Sequence, residues 1–245
     1  MVLSTRVSIQ WPPKEAEEKT STLALTTPAN NYVDIRIFKT QYPCLNSTLP
    51  LPFTQVFELG LAGKEIPLDN DKIKFDNYIS TLALQQSIES GLPIFSIDVD
   101  IGHFSNYGLD GDRKETGEMK NSEGIIAPYI EIWRSLDPLK HTPQTEVREN
   151  TENEPMKTKI KMNVFTLKLM DHLGVLIRIG NWIQGIIQEG NSIHVIRSWY
   201  NENLQQWCNL IEYGNSDAFP IQFNGDIDDV VKVRNGWKWK CIERE

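Results

Sequence analysis

An alternation of apolar and polar residues from Leu173 to Gln188 constrains the fold more than any other feature. Apolar side chains fill one parity of this run, at Val175, Ile177, Ile179, Ile183 and Ile187. Arg178 and Gln184 fall on the other parity. A period of two is typical of a strand with one buried face, so we expect these two polar side chains to face solvent. Gly180 and Gly185 interrupt the run where a long strand would bend, which predicts a curved sheet or barrel.

Similar alternation recurs along most of the chain. The further β-rich runs are 22–26, 32–39, 53–66, 92–101, 125–136, 164–170, 193–199, 206–213 and 230–242. Several strands separated by turn residues predict an all-β protein. Asn235-Gly236 lies between two such runs and predicts a type I′ hairpin. Little helix is expected: Lys74 to Glu89 is the best candidate, whereas Leu204 to Ile211 fits helical spacing but is interpreted as a strand.

Two polar stretches interrupt this pattern. Residues 108–124 are rich in glycine and charge, which predicts an exposed loop. Residues 137–161 have almost no apolar content and contain three prolines, which is typical of a linker or a mobile excursion. The second stretch is therefore the best candidate for a domain boundary.

Composition narrows the functional classes. The chain has 25 basic and 33 acidic residues, a net charge of −8, which argues against a nucleic-acid binder and leaves a basic protein partner open. Three cysteines, odd in number and far apart, favour a reducing compartment over a disulfide scaffold. The N-terminal residues lack the apolar core of a signal peptide, and no apolar run is long enough to span a bilayer. We therefore expect no membrane insertion.

The sequence offers only weak candidates for catalytic or metal-binding residues. Asp98, Asp100 and His103 resemble metal ligands, but on a strand His103 would face away from the two carboxylates, and solvated carboxylates on an edge strand explain them as well. No nucleophile elbow, phosphate-binding loop or dinucleotide-binding motif is present. We therefore predict no catalytic, cofactor-binding or metal-binding residue and no cofactor. An enzyme built on Asp98 and Asp100 is the least favoured hypothesis.

Tryptophans are the remaining candidates for a ligand site. Gly180-Asn181-Trp182 matches the G-x-W of lipocalin-like barrels, in which the tryptophan closes one end of the barrel. Trp237 and Trp239 share one face of the last predicted strand, so with Trp182 they are candidates for closing a barrel or contacting a ligand. The alternative is that Trp182 only anchors a sheet, and that any barrel interior is filled with side chains.

Four segments together resemble a known protein family. They are Ile177–Gly185, Glu131-Ile132-Trp133 with Asp137-Pro138, Glu115-Thr116-Gly117, and Asn235-Gly236-Trp237. The chain resembles the fungal casein-kinase-I-interacting protein family, the Hri family of yeasts. The resemblance implies two tandem lipocalin-like antiparallel β-barrels, a cytoplasmic and nuclear location, and binding to a kinase without catalysis. It supplies no catalytic residues.

The resemblance also assigns the domains. Residues 1–140 would form the first lipocalin-like barrel, 141–161 a polar linker or long loop, and 162–245 the second barrel. The last segment is short for eight strands, so the second barrel either borrows the strand at 125–136 or is incomplete.

The leading functional hypothesis is a non-enzymatic interaction module that binds a casein-kinase-I-type kinase. Phosphorylation would add negative charge to mobile segments, and the candidate positions are Ser122, Thr142, Thr145 and Thr151. The alternative is a carrier of a small apolar ligand inside a barrel. Exposed edge strands also leave room for a homodimer.

Overall fold

The computed structural model describes residues 1–45, 51–108, 111–120, 124–144 and 162–245. Within these ranges the chain forms fifteen strands, two α-helices and two short 3-10 helices. The α-helices are α1 (Phe53–Val56) and α2 (Thr81–Ser90), and the 3-10 helices are Lys39–Gln41 and Ser216–Ala218. The expected all-β class with little helix is therefore confirmed.

The first eight strands close into a barrel. They are β1 (Val2–Gln10), β2 (Thr20–Thr26), β3 (Asn31–Phe38), β4 (Phe57–Leu68), β5 (Lys72–Ser80), β6 (Asp100–Tyr107), β7 (Asp112–Lys120) and β8 (Ile126–Leu136). Each strand pairs antiparallel with the next, and β8 pairs back onto β1. Closure removes the edge strands. The strand at 125–136 thus belongs to this barrel, between β7 and β1.

The remaining strands form a second, open sheet. They are β9 (Val164–Leu169), β10 (Leu173–Ile179), β11 (Trp182–Glu189), β12 (Ser192–Asn201), β13 (Gln206–Tyr213), β14 (Val230–Lys232) and β15 (Lys238–Arg244). Their order is β13-β12-β11-β10-β9-β15-β14. Among the described residues β13 and β14 do not pair, so this sheet does not close into the second barrel that the resemblance implies. β14 offers only three residues, and β13 lies at the opposite edge.

The run that predicted one long strand is instead the β10–β11 hairpin. Ile179 pairs directly with Trp182, and Gly180-Asn181 is the two-residue turn, with Gly180 at φ +57°. Residues that face each other across a hairpin lie on the same side of the sheet, so the parity of the buried face changes at the turn. The prediction that Gln184 faces solvent is therefore wrong: it shares a face with Ile177 and is fully buried.

Three other predictions about elements have mixed outcomes. The expected loop at 108–124 instead contains β7. The sequence does not reveal this strand, because its inner face meets a polar barrel interior and neither parity is apolar. The helix proposed from Lys74 begins only after Ser80, whose side chain caps α2 by accepting a hydrogen bond from the Ala83 amide at 3.3 Å. The predicted strand at 206–213 is confirmed as β13.

The hairpin at Asn235-Gly236 is also confirmed, between β14 and β15. Its loop differs from the type I′ prediction. Val233 accepts from the Gly236 amide and donates to the Trp237 carbonyl, which leaves three residues in the loop, and only Gly236 has a positive φ, at +92°.

The second sheet packs on the outer wall of the barrel. From the barrel, β2 and β3 contribute apolar side chains that point outward, among them Leu23, Leu25, Val33, Ile35 and Ile37. From the sheet, β10 to β12 contribute Val175, Ile177, Ile179, Ile186 and Val195 to the same core. The opposite face of the sheet has its own core, in which Leu176, Ile183 and Ile187 pack with Phe219 and Trp239. Both faces of the sheet are therefore buried.

Two polar side chains cross the interface between sheet and barrel. The Gln184 amide donates to the carbonyl oxygens of Leu23 at 2.7 Å and Val33 at 3.1 Å. Arg197 donates to the Gln184 side-chain oxygen at 2.7 Å and to the Ile35 carbonyl at 2.8 Å. Since buried carbonyls need donors, these bonds fix how the sheet sits on β2 and β3.

We predict that Arg197→Met destabilises the protein. The substitution keeps an apolar stem but removes the side-chain donor to the Ile35 carbonyl and leaves the buried Gln184 oxygen without its donor, at a cost of about 3 kcal/mol in the free energy of unfolding. Urea unfolding followed by circular dichroism measures the change. The control is Arg234→Met, because the Arg234 side chain is 90% exposed. Equal unfolding midpoints for the two variants would contradict this description of the interface.

Candidate functional site

The interior of the barrel is charged. On β3, Val33, Ile35 and Ile37 point outward to the second sheet, so Asp34 and Arg36 point inward. Arg6 on β1, Glu115 on β7 and Glu131 on β8 are also buried within the barrel wall. Charged residues are almost never fully buried unless they are paired, so this interior depends on its ion pairs.

Glu131 is the centre of these pairs. One of its oxygens accepts from Arg6 at 2.7 Å and from Arg36 at 2.7 Å. Arg6 also contacts the carboxylates of Glu18 and Glu58, each at 2.6 Å. Burial alone would raise the pKa of the Glu131 carboxyl, but Arg36 and Arg6 outweigh burial and hold that pKa below its usual value. Glu131 is therefore a fixed negative charge.

The other interior carboxyls behave differently. Burial, together with the charge of Glu131, raises the pKa of Glu115 to about 8. The same two causes raise the pKa of Asp100 to about 6. Burial also raises the pKa of Asp34, although its carboxylate accepts from Arg36 at 2.9 Å. The interior thus has more carboxyl groups than its arginines neutralise.

A narrow cavity of about 50 Å³ lies among these groups. Its walls include Tyr32, Asp34, Phe75, Asp100, Phe104 and Trp133. Of these, Phe75, Asp100 and Phe104 are only half-buried, so the cavity approaches the surface at their position. Carboxylates and aromatic rings thus line the same space.

The three predicted tryptophans lie in different environments and line no common cavity. Trp182 begins β11, is buried between sheet and barrel, donates to the His141 carbonyl at 3.3 Å and stacks on that histidine ring. Trp239 is buried in the second core and donates to the Ala218 carbonyl at 2.8 Å. Trp237 is half-buried, with its ring 4.8 Å from that of His172. Trp182 and Trp239 thus occupy packed, hydrogen-bonded positions.

The structure separates the other candidate residues. Asp100 points into the barrel, whereas Asp98 is exposed and pairs with Lys120 at 2.7 Å, and His103 is exposed. Within the described ranges no group of three or more potential ligands is arranged to hold a metal ion. Thr142 is half-buried in the segment after β8. The other proposed phosphorylation positions, Ser122, Thr145 and Thr151, lie outside the described residues.

Sequence reasoning missed the charged interior. The signal was present: Asp34 and Arg36 occupy the second parity of a strand whose first parity is apolar, and so does Glu131 between Ile130 and Ile132. Taken alone, such a pattern predicts one solvent-exposed face and one buried face. In a closed barrel, however, the polar side chains of such a strand can point into the interior.

A second feature lies on the surface. A groove of about 480 Å³ runs between α2, the segment 93–97 and the turn between β11 and β12. Phe95 lines it and is 84% exposed. Larger exposed apolar patches mark interaction sites, so this groove is a second candidate site.

Together these features define a class of protein: a closed, antiparallel eight-stranded barrel with a charged interior, whose outer wall carries an open sheet. The family model described as Protein HRI1 matches residues 2–243, and the chain belongs to the HRI1 family. It is 23% identical to Protein HRI1 of Candida glabrata over 264 residues, 93% of each chain. It is 23% identical to Protein HRI1 of Kluyveromyces lactis over 250 residues, 98% of each chain.

One solved structure shares the fold. The crystal structure of an uncharacterized protein from Saccharomyces cerevisiae aligns with a TM-score of 0.74 at 23% identity. The alignment covers 100% of this chain and 98% of the yeast chain. Among the described residues, neither helix has the length and apolar character needed to cross a bilayer.

We predict that Glu115→Gln reduces the pH dependence of stability. Because the folded-state pKa of Glu115 is about 8, above its ordinary value, the folded protein binds this proton more readily than the unfolded chain does. The free energy of unfolding should therefore fall as pH rises from about 5 to about 8. The variant should be more stable than wild type at pH 8, by on the order of 2 kcal/mol. Its advantage over wild type should be smaller at pH 5, where Glu115 is protonated in the folded protein.

Chemical unfolding at a series of pH values tests this prediction. Glu118→Gln is the matched control, because Glu118 lies on the same strand but is exposed. Parallel stability-against-pH curves for wild type and Glu115→Gln would show that Glu115 is not an abnormal acid.

Proposed function

We propose that this chain is a non-enzymatic protein-interaction module of the cytoplasm and nucleus, and that its partner is a casein-kinase-I-type protein kinase. The kinase is the partner that the family resemblance implies. The surface groove beside Phe95 is the observation that supports an interaction role.

The groove has the character of a docking surface. The segment between α2 and β6 has no regular secondary structure over Gly91 to Val99 and presents three large apolar side chains to solvent. Leu92, Phe95 and Val99 are all exposed. Of the three, Phe95 lines the groove itself. Exposed apolar patches mark interaction sites, and an aromatic residue is a typical anchor in the centre of an interface.

Charge supports a basic partner. The chain has a net charge of −8, and acidic Glu89 precedes the apolar segment. Complementary charge steers association and limits the choice of partner more than it adds affinity. Phosphorylation at Thr142 or at the other three proposed positions would add negative charge and strengthen contacts to arginines on the partner.

The ion pairs at the centre of the interior support a role that does not involve catalysis by the residues that form them. Glu131, Arg6 and Arg36 form mutual ion pairs in the wall of a closed barrel, where the charges satisfy each other. General acid–base catalysis instead needs a titrating group within reach of a substrate. These residues therefore suit a structural role better than a reactive one.

The alternative, a carrier of a small apolar ligand in a lipocalin-like barrel, is less well supported. The strand order of the first barrel suits that description, but its cavity is narrow and lined by carboxylates. The open sheet also leaves a homodimer as a prediction. Its edge strands are poorly suited to pair with a second copy. β14 is very short, and on β13 the Leu210 carbonyl already accepts a hydrogen bond from the Cys44 amide at 3.0 Å.

We predict that Phe95→Asp weakens kinase binding. Purified chain should bind a recombinant fungal casein-kinase-I-type kinase with a micromolar or tighter Kd, and the variant should bind at least about tenfold more weakly. Biolayer interferometry measures both. Ile227→Asp is the control, since Ile227 is exposed and is not part of the groove lining.

Two results would count against this proposal. If wild-type protein shows no binding at about 100 µM kinase, the kinase is not a direct partner. If wild type binds and Phe95→Asp binds equally well, the partner is right and the groove is not its site.

A further inference from the structure

We propose that the barrel cavity binds a small primary ammonium ion, and that a short amino alcohol fits it better than a plain alkylamine. The site is separate from the surface groove, so it stands or falls independently of the kinase partner. Three features of the cavity support the proposal: polar atoms that lack partners, the charge of the cavity walls, and their aromatic surface.

Polar atoms without partners are concentrated at this cavity. Over the part of the chain that the structure describes, four buried side-chain nitrogen or oxygen atoms have no hydrogen-bond partner. Three of them belong to cavity-lining residues: Asp34 Oδ1, Asp100 Oδ1 and Trp133 Nε1. Asp34 is 4% exposed and Trp133 is 6% exposed. Buried polar groups are normally satisfied, so a cluster of such atoms around one space indicates a ligand with complementary polar groups.

The cavity walls are short of positive charge. Four carboxyl groups line the cavity, on Asp34, Glu65, Asp100 and Glu115, and two guanidinium groups, on Arg36 and Arg113. The Arg36 guanidinium is already committed to Asp34 Oδ2 and to Glu131, which lies outside the lining. The Arg113 guanidinium lies over the Phe104 ring, 5.1 Å from its centroid. Water could supply hydrogen bonds to the free carboxylate oxygens but leaves their charge in place, whereas a bound cation satisfies the oxygens and replaces the protons that would otherwise neutralise them.

The aromatic rings favour an organic cation. Tyr32 and Phe75 have ring centroids 5.6 Å apart, and Phe75 and Phe104 have centroids 6.4 Å apart, so the three rings form one wall. Aromatic faces attract ammonium groups through cation–π interactions. Metal ions instead need several converging oxygen, nitrogen or sulfur ligands, and the described residues contain no such group.

Size and donor pattern define the ligand class. A cavity of about 50 Å³ admits only a few heavy atoms, which excludes bulky quaternary ions. A primary ammonium has three donors and can reach both Asp34 and Asp100. Trp133 Nε1 is itself a donor and needs an acceptor, which a hydroxyl beside the amine provides. Ethanolammonium has this combination, whereas propylammonium has the same number of heavy atoms without the acceptor.

An NMR titration of the ¹⁵N-labelled full chain tests the proposal. The probes are ethanolammonium, propylammonium and tetramethylammonium chlorides, with sodium chloride at matched ionic strength. We expect saturable shifts of the Trp133 indole signal with ethanolammonium, weaker binding of propylammonium, and no saturable shift with tetramethylammonium or sodium.

Variants identify the site. Asp100→Asn should weaken ethanolammonium binding at least about tenfold, because it removes a charged acceptor. Asp98→Asn is the matched control, since Asp98 lies two residues away and is exposed. Trp133→Phe keeps an aromatic ring but loses the donor, so it should bind ethanolammonium and propylammonium equally.

Several results would overturn the proposal. They are the absence of saturation by ethanolammonium up to about 10 mM, identical shifts with sodium chloride, or equal weakening by Asp98→Asn. The wild-type comparison of the four salts decides the question even if a cavity variant fails to fold. A crystal structure grown with ethanolammonium that shows only water in the cavity would also refute it.

Discussion

Burial of both faces of β2 and β3 is the constraint on which the rest of this structure depends. Their outward side chains, such as Leu25 and Ile35, are fully buried although they lie on the outside of a barrel. Their inward side chains, such as Asp34 and Arg36, are buried and charged. An apolar outer wall requires a cover, and a charged interior requires internal partners. The second sheet provides the cover, and the Arg6–Glu131–Arg36 ion pairs provide the partners.

The same constraint explains why the second sheet remains open. One face of β10 to β12 packs on the barrel and the other packs on the segment around Phe219, so the sheet buries both faces without closing on itself. Gln184 and Arg197 then bond to carbonyls of the barrel wall, which fixes the sheet in one position. The two sheets thus depend on each other for burial, unlike two independent barrels in tandem.

Much of the strand content could be predicted from the sequence, because period-two alternation depends only on local geometry. What alternation cannot show is which parity faces the barrel axis, and so Glu115, Glu131 and Arg36 were not predicted as interior residues. It also cannot distinguish one long strand from a hairpin with a two-residue turn such as Gly180-Asn181, since apolar residues continue through both. β7 was missed because neither of its faces is apolar enough to be recognised.

The surface and the interior suggest two separate activities. The exposed side chain of Phe95 is available to a protein partner, while the cavity beside Asp100 has room only for a small molecule. The cavity depends on a barrel whose inside is charged and largely shielded from bulk water. A ¹³C NMR titration of the side-chain carboxyl groups tests that claim most directly. We expect a pKa of about 8 for Glu115, about 6 for Asp100, and a value below the ordinary range for Glu131. Titration of all three at ordinary carboxyl values near about 4 would contradict it.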